Sequence, residues 1–257
     1  MRAALDHSLA GRICLITGAA GGIGLAAAQA LASSGARLML SDVDEARGRK
    51  VLADFHALGL DARFKACNVT EAASVQALVQ ATVDEFGRLD CAVNNAGIET
   101  RNAKFADHDD DDFDRAVAVN LKGVYLCMKF ELRQLLAQGG GVIVNVASVA
   151  GLGGAPTLAG YAASKHGVVG LTRTAAIEYA KRNIRVNAVC PSYTNTEMVQ
   201  RMLESNPALR PALEAASPMK RLGEPEEIGR AIAWLCAGDS SFVNGQALAL
   251  DGGLTAW

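Results

Sequence analysis

Short, continuously apolar runs alternate along this chain with longer stretches of helical period, and that alternation leaves few folds open. RICLIT at residues 12–17 reads as a strand, followed by a helix over about 22–34 that Gly35 closes. ARLMLS at 36–41 is the next strand, and VDEARGRKVLADFHALG is the amphipathic helix after it. ARFKACNV reads as a strand, and TEAASVQALVQATVDEFG as a helix with Thr70 at its N-cap and Gly87 past its end. CAVNN, GVIVNVAS, IRVNAVC and QALALD are four more strands, each after a helix. Strands that are apolar throughout, rather than at every second residue, must be covered on both faces, which requires a parallel sheet between helix layers. The expectation is an α/β fold: a doubly wound parallel sheet of about seven strands in a three-layer α/β/α sandwich, one domain over residues 1–257.

Charge and cysteine usage exclude several roles. Lys and Arg number 25 against 27 Asp and Glu, a net charge of −2 that offers no basic surface for nucleic acid. No apolar run reaches the length of a membrane span, and MRAALDHSLAGR lacks the apolar core of a signal peptide, so the expected location is cytoplasmic. Cys14, Cys67, Cys91, Cys127, Cys190 and Cys236 form no C-x-x-C pair and have no His at ligand spacing. They are expected as buried reduced thiols rather than disulfides or a metal site, and Cys190, in an apolar strand, is given no nucleophilic role. The acidic stretch DHDDDDFD at 107–114 lacks the alternating ligands and central Gly of a calcium loop. It is expected as a solvated helix N-terminus, and no metal is assigned to the chain.

In a doubly wound sheet the ligand crevice lies beyond the carboxyl ends of the strands. Thr17, Gly18, Asp42, Asn68, Asn94 to Gly97, Ser148, Pro191 and Ser192 collect there. TGAAGGIG, at 17–24, puts Gly18, Gly22 and Gly24 where a strand turns into a helix, as in Rossmann-type folds. Glycine permits the tight turn and a close approach of backbone to ligand, and the helix start presents free N–H groups to a pyrophosphate. Asp42 ends the second strand, eighteen residues after Gly24. A carboxylate there can accept hydrogen bonds from both ribose hydroxyls and repels a 2′-phosphate, which favours NAD(H) over NADP(H). Two readings compete with this one: Asp42 as a cap of the next helix, and Arg47 as a nearby cation that would welcome the phosphate.

Two Tyr-x-x-x-Lys segments occur, YLCMK at 125–129 and YAASK at 161–165. Tyr161 and Lys165 fall in a helix over about 160–180 and share a face of it. Ser148, thirteen residues earlier, ends the strand GVIVNVAS and so belongs to the crevice. Hydroxyl, phenol and ammonium can therefore meet beside a nicotinamide. The same step back from Tyr125 reaches Asp112, in the acidic stretch, so that pair is expected only to pack. A phenol is a poor base at neutral pH, but a nearby ammonium and an oxidised nicotinamide favour the phenolate. Tyr161 could then move the hydroxyl proton while Ser148 holds the substrate oxygen. His166, the next residue after Lys165, points about 100° away on the helix.

With these motifs in order, the chain resembles the classical short-chain dehydrogenases/reductases from RICLITGAAGGIG to NGQALALDGG. The resemblance implies a catalytic set of Asn120 (in VNLKG), Ser148, Tyr161 and Lys165, with Asn120 holding a water against the lysine. It implies that NNAG supports the central sheet and that cofactor contacts come from Gly18, Gly22, Ile23, Gly24, Asp42, Asn68, Val69, Asn95, Ala96, Gly97, Tyr161, Lys165, Pro191, Thr194 and Thr196. It also implies a homotetramer built partly on the helices carrying Asn120 and Tyr161. Two positions depart from the family pattern: Asn68 where an Asp is usual, and Ser192 where a Gly is usual. Thr196 has a competing role as a helix N-cap.

By the same resemblance, residues 193–219 cover the substrate, and Met198, Met202, Leu203, Leu209, Leu213 and Met219 suggest an adaptable apolar lid. VAGLGGAPTLAG forms the opposite wall, and neither wall carries an Arg/Lys cluster. Glu99 stands between a substrate contact and a surface role. The expectation is an NAD(H)-dependent oxidoreductase of a neutral secondary alcohol/ketone pair. A 3-oxoacyl-thioester reductase is the first alternative, and a non-catalytic dinucleotide sensor the second.

Overall fold

The computed structural model of the protein describes residues 8–256. Strands β1 (Ile13–Thr17), β2 (Arg37–Asp42), β3 (Ala62–Ala66), β4 (Cys91–Asn94), β5 (Gly141–Val146), β6 (Ile184–Pro191) and β7 (Ala247–Leu250) form one sheet in the order β3-β2-β1-β4-β5-β6-β7. Every pairing is parallel. The connections are α1 (Gly22–Ser33), α2 (Glu45–Ala57), α3 (Ala72–Phe86), α4 (Asp110–Ala116), α5 (Val124–Gln138), α6 (Ala159–Tyr179), α7 (Glu197–Ser205), α8 (Arg210–Ala216) and α9 (Pro225–Cys236). Strand order reverses between β1 and β4, where Thr17 pairs with Asn94, and a crevice opens beyond those strand ends.

The sheet is buried on both faces, as its uninterrupted apolar strands require. On one face Leu31 of α1, Phe55 of α2 and Ile228 and Ile232 of α9 pack on Ile16, Leu38 and Val144. On the other, Leu78 of α3, Leu132 and Leu135 of α5 and Val168 of α6 pack on Leu15, Ile143 and Val186. Helices α1 and α9 meet so closely that a Cβ on Gly229 would lie 2.6 Å from the Ala26 carbonyl oxygen. All six cysteines are buried free thiols. No described helix is long and apolar enough to cross a membrane.

Three local expectations change. Thr70 does not cap α3: Glu71 holds that position, and the Thr70 hydroxyl is spent on Asn68 Oδ1 at 2.9 Å. The acidic stretch is not uniformly solvated. Asp109 caps α4, but Asp112 is buried, accepting from the Arg101 backbone N–H at 2.7 Å and pairing with Arg115. The lid leucines face inward: Leu203, Leu213, Val199 and Leu222 form a small core of their own, which Met202 and Leu209 flank. Among the described residues no cluster of His, Cys, Asp or Glu could hold a metal ion.

Candidate active site

The glycine turn joins β1 to α1, and its geometry depends on glycine at Gly18 and Gly22, with φ of +65° and +53°. Asn95, just past β4, braces it: its side-chain amide donates to the Thr17 and Gly18 carbonyls at 3.1 and 2.9 Å. Gly24 is needed for packing, since a Cβ there would lie 2.0 Å from the Gly18 carbonyl oxygen. Asp42 also supports the turn, accepting from the Ala20 N–H at 3.0 Å and the Asp44 N–H at 3.0 Å. The capping of α2 falls instead to Asp44, which accepts from the Arg47 N–H. Each Asp42 oxygen keeps a second lone pair for a ligand hydroxyl.

Arg47 reaches across this turn. Its guanidinium donates to the Ala20 carbonyl at 3.2 Å and to both Glu197 oxygens at 2.7 and 2.8 Å. Thr196 caps α7, accepting from the Val199 N–H at 3.5 Å, while also lining the crevice. Asn68 is engaged locally: its amide donates to Glu71 at 2.7 Å and its oxygen accepts from Thr70. The amide carries a second donor, and Asn68 lines the crevice.

Ser148, Tyr161 and Lys165 converge on the same crevice. Ser148 stands just beyond β5, held as an acceptor for the Ala150 N–H at 3.1 Å. Lys165 is 5% exposed, donates to the Val146 carbonyl at 2.9 Å and lies 5.5 Å from the centre of the Tyr161 ring. Burial lowers the Lys165 ammonium to about 8. Burial also raises the Tyr161 phenol above its ordinary value, with the Ser148 hydroxyl pulling it down and the charge of Glu99 pushing it up. Protein groups alone thus leave the phenol protonated at neutral pH.

Asn120 lies behind the crevice in a π-helical turn, Val117–Gly123, a device common at functional sites. Its side-chain oxygen accepts from the Ile98 N–H at 2.8 Å, and its amide donates to the Ile98 carbonyl at 2.9 Å. The amide also donates to the Ser164 hydroxyl at 3.3 Å, so this side chain ties the loop after β4 to α6. A Cβ on Gly97 would lie 3.3 Å from Asn120 Oδ1 and 3.6 Å from Lys165 Nζ, so the three residues meet there.

The crevice is a cavity of about 930 Å³. Of the residues expected from sequence, Gly18, Gly22, Ile23, Asp42, Asn68, Val69, Asn95, Ala96, Gly97, Ser148, Tyr161, Lys165, Pro191, Thr194 and Thr196 line it; Gly24 and Asn120 stand behind it. The 149–158 wall contributes Val149, Leu152 and Leu158, and the lid contributes Met198 and Met202. Glu99, Arg201, Arg47 and Glu197 also line the space, with Arg201 and Glu197 coming from the lid. Leu254 and Thr255 were not anticipated. They follow β7, whose Leu250 pairs with Pro191, and the strand-end rule applied to the last strand would have found them. Burial raises the Cys190 thiol to about 11, which leaves no nucleophile there. Tyr125 lies elsewhere, 46% exposed on α5. A cleft with a glycine cradle, a carboxylate at its rim and a hydroxyl, phenol and amine beyond it fits a nicotinamide dinucleotide with room for a small substrate.

A family model described as enoyl-(acyl carrier protein) reductase matches residues 18–255. A 2,5-dichloro-2,5-cyclohexadiene-1,4-diol dehydrogenase of Sphingobium indicum is 40% identical over 249 residues, covering 96% of this chain and 98% of the relative. Cyclohexanol dehydrogenase of an Acinetobacter species is 38% identical over 256 residues and covers both chains fully, at 100% each. The crystal structure of levodione reductase superposes with a TM-score of 0.91 at 40% identity, over 96% of this chain and 98% of that one. The ordered motifs, the seven-stranded sheet and these likenesses place the chain in the short-chain dehydrogenase/reductase family, as an oxidoreductase acting on CH–OH groups.

Proposed function

We propose that the protein is an NAD(H)-dependent dehydrogenase that interconverts a neutral, cyclic secondary alcohol and its ketone. The observation that carries this reading is the convergence of Ser148, Tyr161 and Lys165 in one cavity with the glycine turn and Asp42. The dinucleotide, when bound, supplies the hydride acceptor or donor. Tyr161 moves the proton of the substrate oxygen: as phenolate it takes the hydroxyl proton of an alcohol, and as phenol it returns one to a ketone. Ser148 donates to the same oxygen and fixes its position. Lys165, close to its own titration point near neutrality, supplies positive charge beside the phenol and favours its ionised form. Asn120 sets the floor of the site by clamping Ile98. Residues 193–219 close over the substrate, and the ring compounds named for the relatives support a cyclic substrate.

Preference for NAD(H) rests on Asp42 and on the pairing of Arg47 Nη2 with Glu197, which offsets a nearby positive charge that would attract a 2′-phosphate. Dissociation constants for NADH and NADPH, measured by fluorescence, test this. D42A should weaken NADH by about tenfold and narrow its advantage over NADPH. Unchanged constants for both would reject the assignment. The alternative is a 3-oxoacyl-thioester reductase, and the acyl-carrier-protein substrate in the family model's description supports a thioester of that class. Turnover of acyl thioesters with NADPH, and none of cyclohexanol with NAD⁺, would select it.

The assembly proposed is a cytoplasmic homotetramer. Exposed Phe105, Phe113, Tyr125, Ile177 and Phe242 support further copies covering these side chains. Light scattering on the purified protein should give four chains, and a monomer would refute it.

A further inference from the structure

The loop after β4 carries Glu99 between two anchors. Ile98 before it is held through both backbone polar groups by Asn120, at 2.8 and 2.9 Å. Thr100 after it is buried, and the Arg101 N–H donates to Asp112 at 2.7 Å. Glu99 is therefore fixed in place rather than carried on a free loop. It lines the same cavity as Ser148 and Tyr161. Among the described residues its carboxylate has no hydrogen bond and no ion pair; the charge of Arg201, another lining residue, acts on it without one. The apolar residues of the same cavity, Val149, Leu152, Leu158, Met198 and Met202, have no side-chain donor to offer.

A half-buried carboxylate without a donor is costly, and the cost is recovered when a ligand brings one. We infer that Glu99 is a second anchoring point for the substrate, accepting a hydrogen bond from a hydroxyl group other than the one oxidised, so that diols and hydroxyketones are preferred to simple alcohols. This inference rests on the alcohol dehydrogenase reading above. The anchoring group takes no part in the reaction: the distal O–H donates to Glu99 and keeps its proton while Tyr161 serves the reacting oxygen. Burial pushes the Glu99 carboxyl up and Arg201 draws it down. In its ionised form it selects a hydroxyl; in its protonated form it could donate to a distal carbonyl instead.

The test compares cyclohexanol with the 1,2-, 1,3- and 1,4-cyclohexanediols, using NAD⁺ and the full-length enzyme. In the wild type at least one diol should show kcat/KM about tenfold or more above cyclohexanol, the scale of a hydrogen bond to a charged group. E99A should collapse that diol-to-cyclohexanol ratio, mainly through KM for the diol. E99Q should keep an intermediate ratio, because its amide oxygen still accepts. NADH affinity, measured alongside, separates loss of the anchor from loss of the fold. A wild-type ratio near one, or a ratio that E99A leaves intact, overturns the inference while cyclohexanol turnover upholds the dehydrogenase reading. If none of these alcohols is oxidised by an enzyme that binds NADH, the reading and the inference fall together.

Discussion

Helices α5 and α6 each carry a Tyr-x-x-x-Lys, and the structure treats the two pairs in opposite ways. In α6 both side chains face the crevice, Lys165 is 5% exposed, and Tyr161 has Ser148 before it. In α5 Tyr125 is 46% exposed, and Lys129 lies 5.7 Å from the centre of the Phe130 ring. The buried face of α5 presents Leu132, Leu135 and Glu131 to the sheet instead. The spacing is the same; what differs is which face of the helix meets the carboxyl ends of the strands. A residue pattern of this length has chemical meaning only through the strand that precedes it.

The sharpest way to break that comparison is to delete one hydroxyl from each helix. Y161F should lower kcat/KM for a secondary alcohol by about 10²–10⁴-fold, the range for a lost general acid/base, while NADH still binds. Y125F should leave turnover within about twofold of wild type, since Tyr125 does not line the cavity and is 46% exposed. Steady-state kinetics on both variants, with NADH affinity as the control, decides the matter. Full activity in Y161F, or its loss in Y125F with the cofactor still bound, would reverse the assignment.

The contrast also shows how far residue patterns reach. The sheet, its strand number and the position of the crevice were legible because apolar runs and glycine turns are local signals with one common structural solution. Tyr161 and Ser148 were legible for the same reason, since a strand end locates one and helical spacing the other. Side-chain commitments were not. Asn68 donates to Glu71, and Asn120 holds both backbone groups of Ile98, contacts that only the folded loops bring together. Leu203 and Leu213 read as lid surface and turned inward, because a helix pair over a cleft must bury an apolar face of its own. Arg47 and Glu197, 150 residues apart, could not be paired from sequence at all.

A smaller effect separates the two helices by their buried charges. Glu131 of α5 is fully enclosed, and burial raises its carboxyl from 4.5 to about 7, partly offset by the Asn94 amide that donates to it at 2.9 Å. The same amide donates to Asn145 at 3.0 Å, so Asn94 Oδ1 and Glu131 Oε1 are both left without donors. A protonated carboxyl turns one of those acceptors into a donor, which is the form the site favours. The unfolded chain releases this proton near 4.5 and the folded one near 7. The stability it lends is therefore complete below 4.5 and is lost as pH rises through about 7, by up to roughly 3 kcal/mol. E131Q keeps the shape and removes the titration. It should gain on the wild type in thermal stability between pH 5 and pH 8, with the gain concentrated below about pH 7. A difference in melting temperature that stays constant across that range would show that Glu131 is ionised in the fold. The buried face of α5 would then be holding a charge as firmly as α6 holds Lys165, and burial alone would no longer distinguish the two helices.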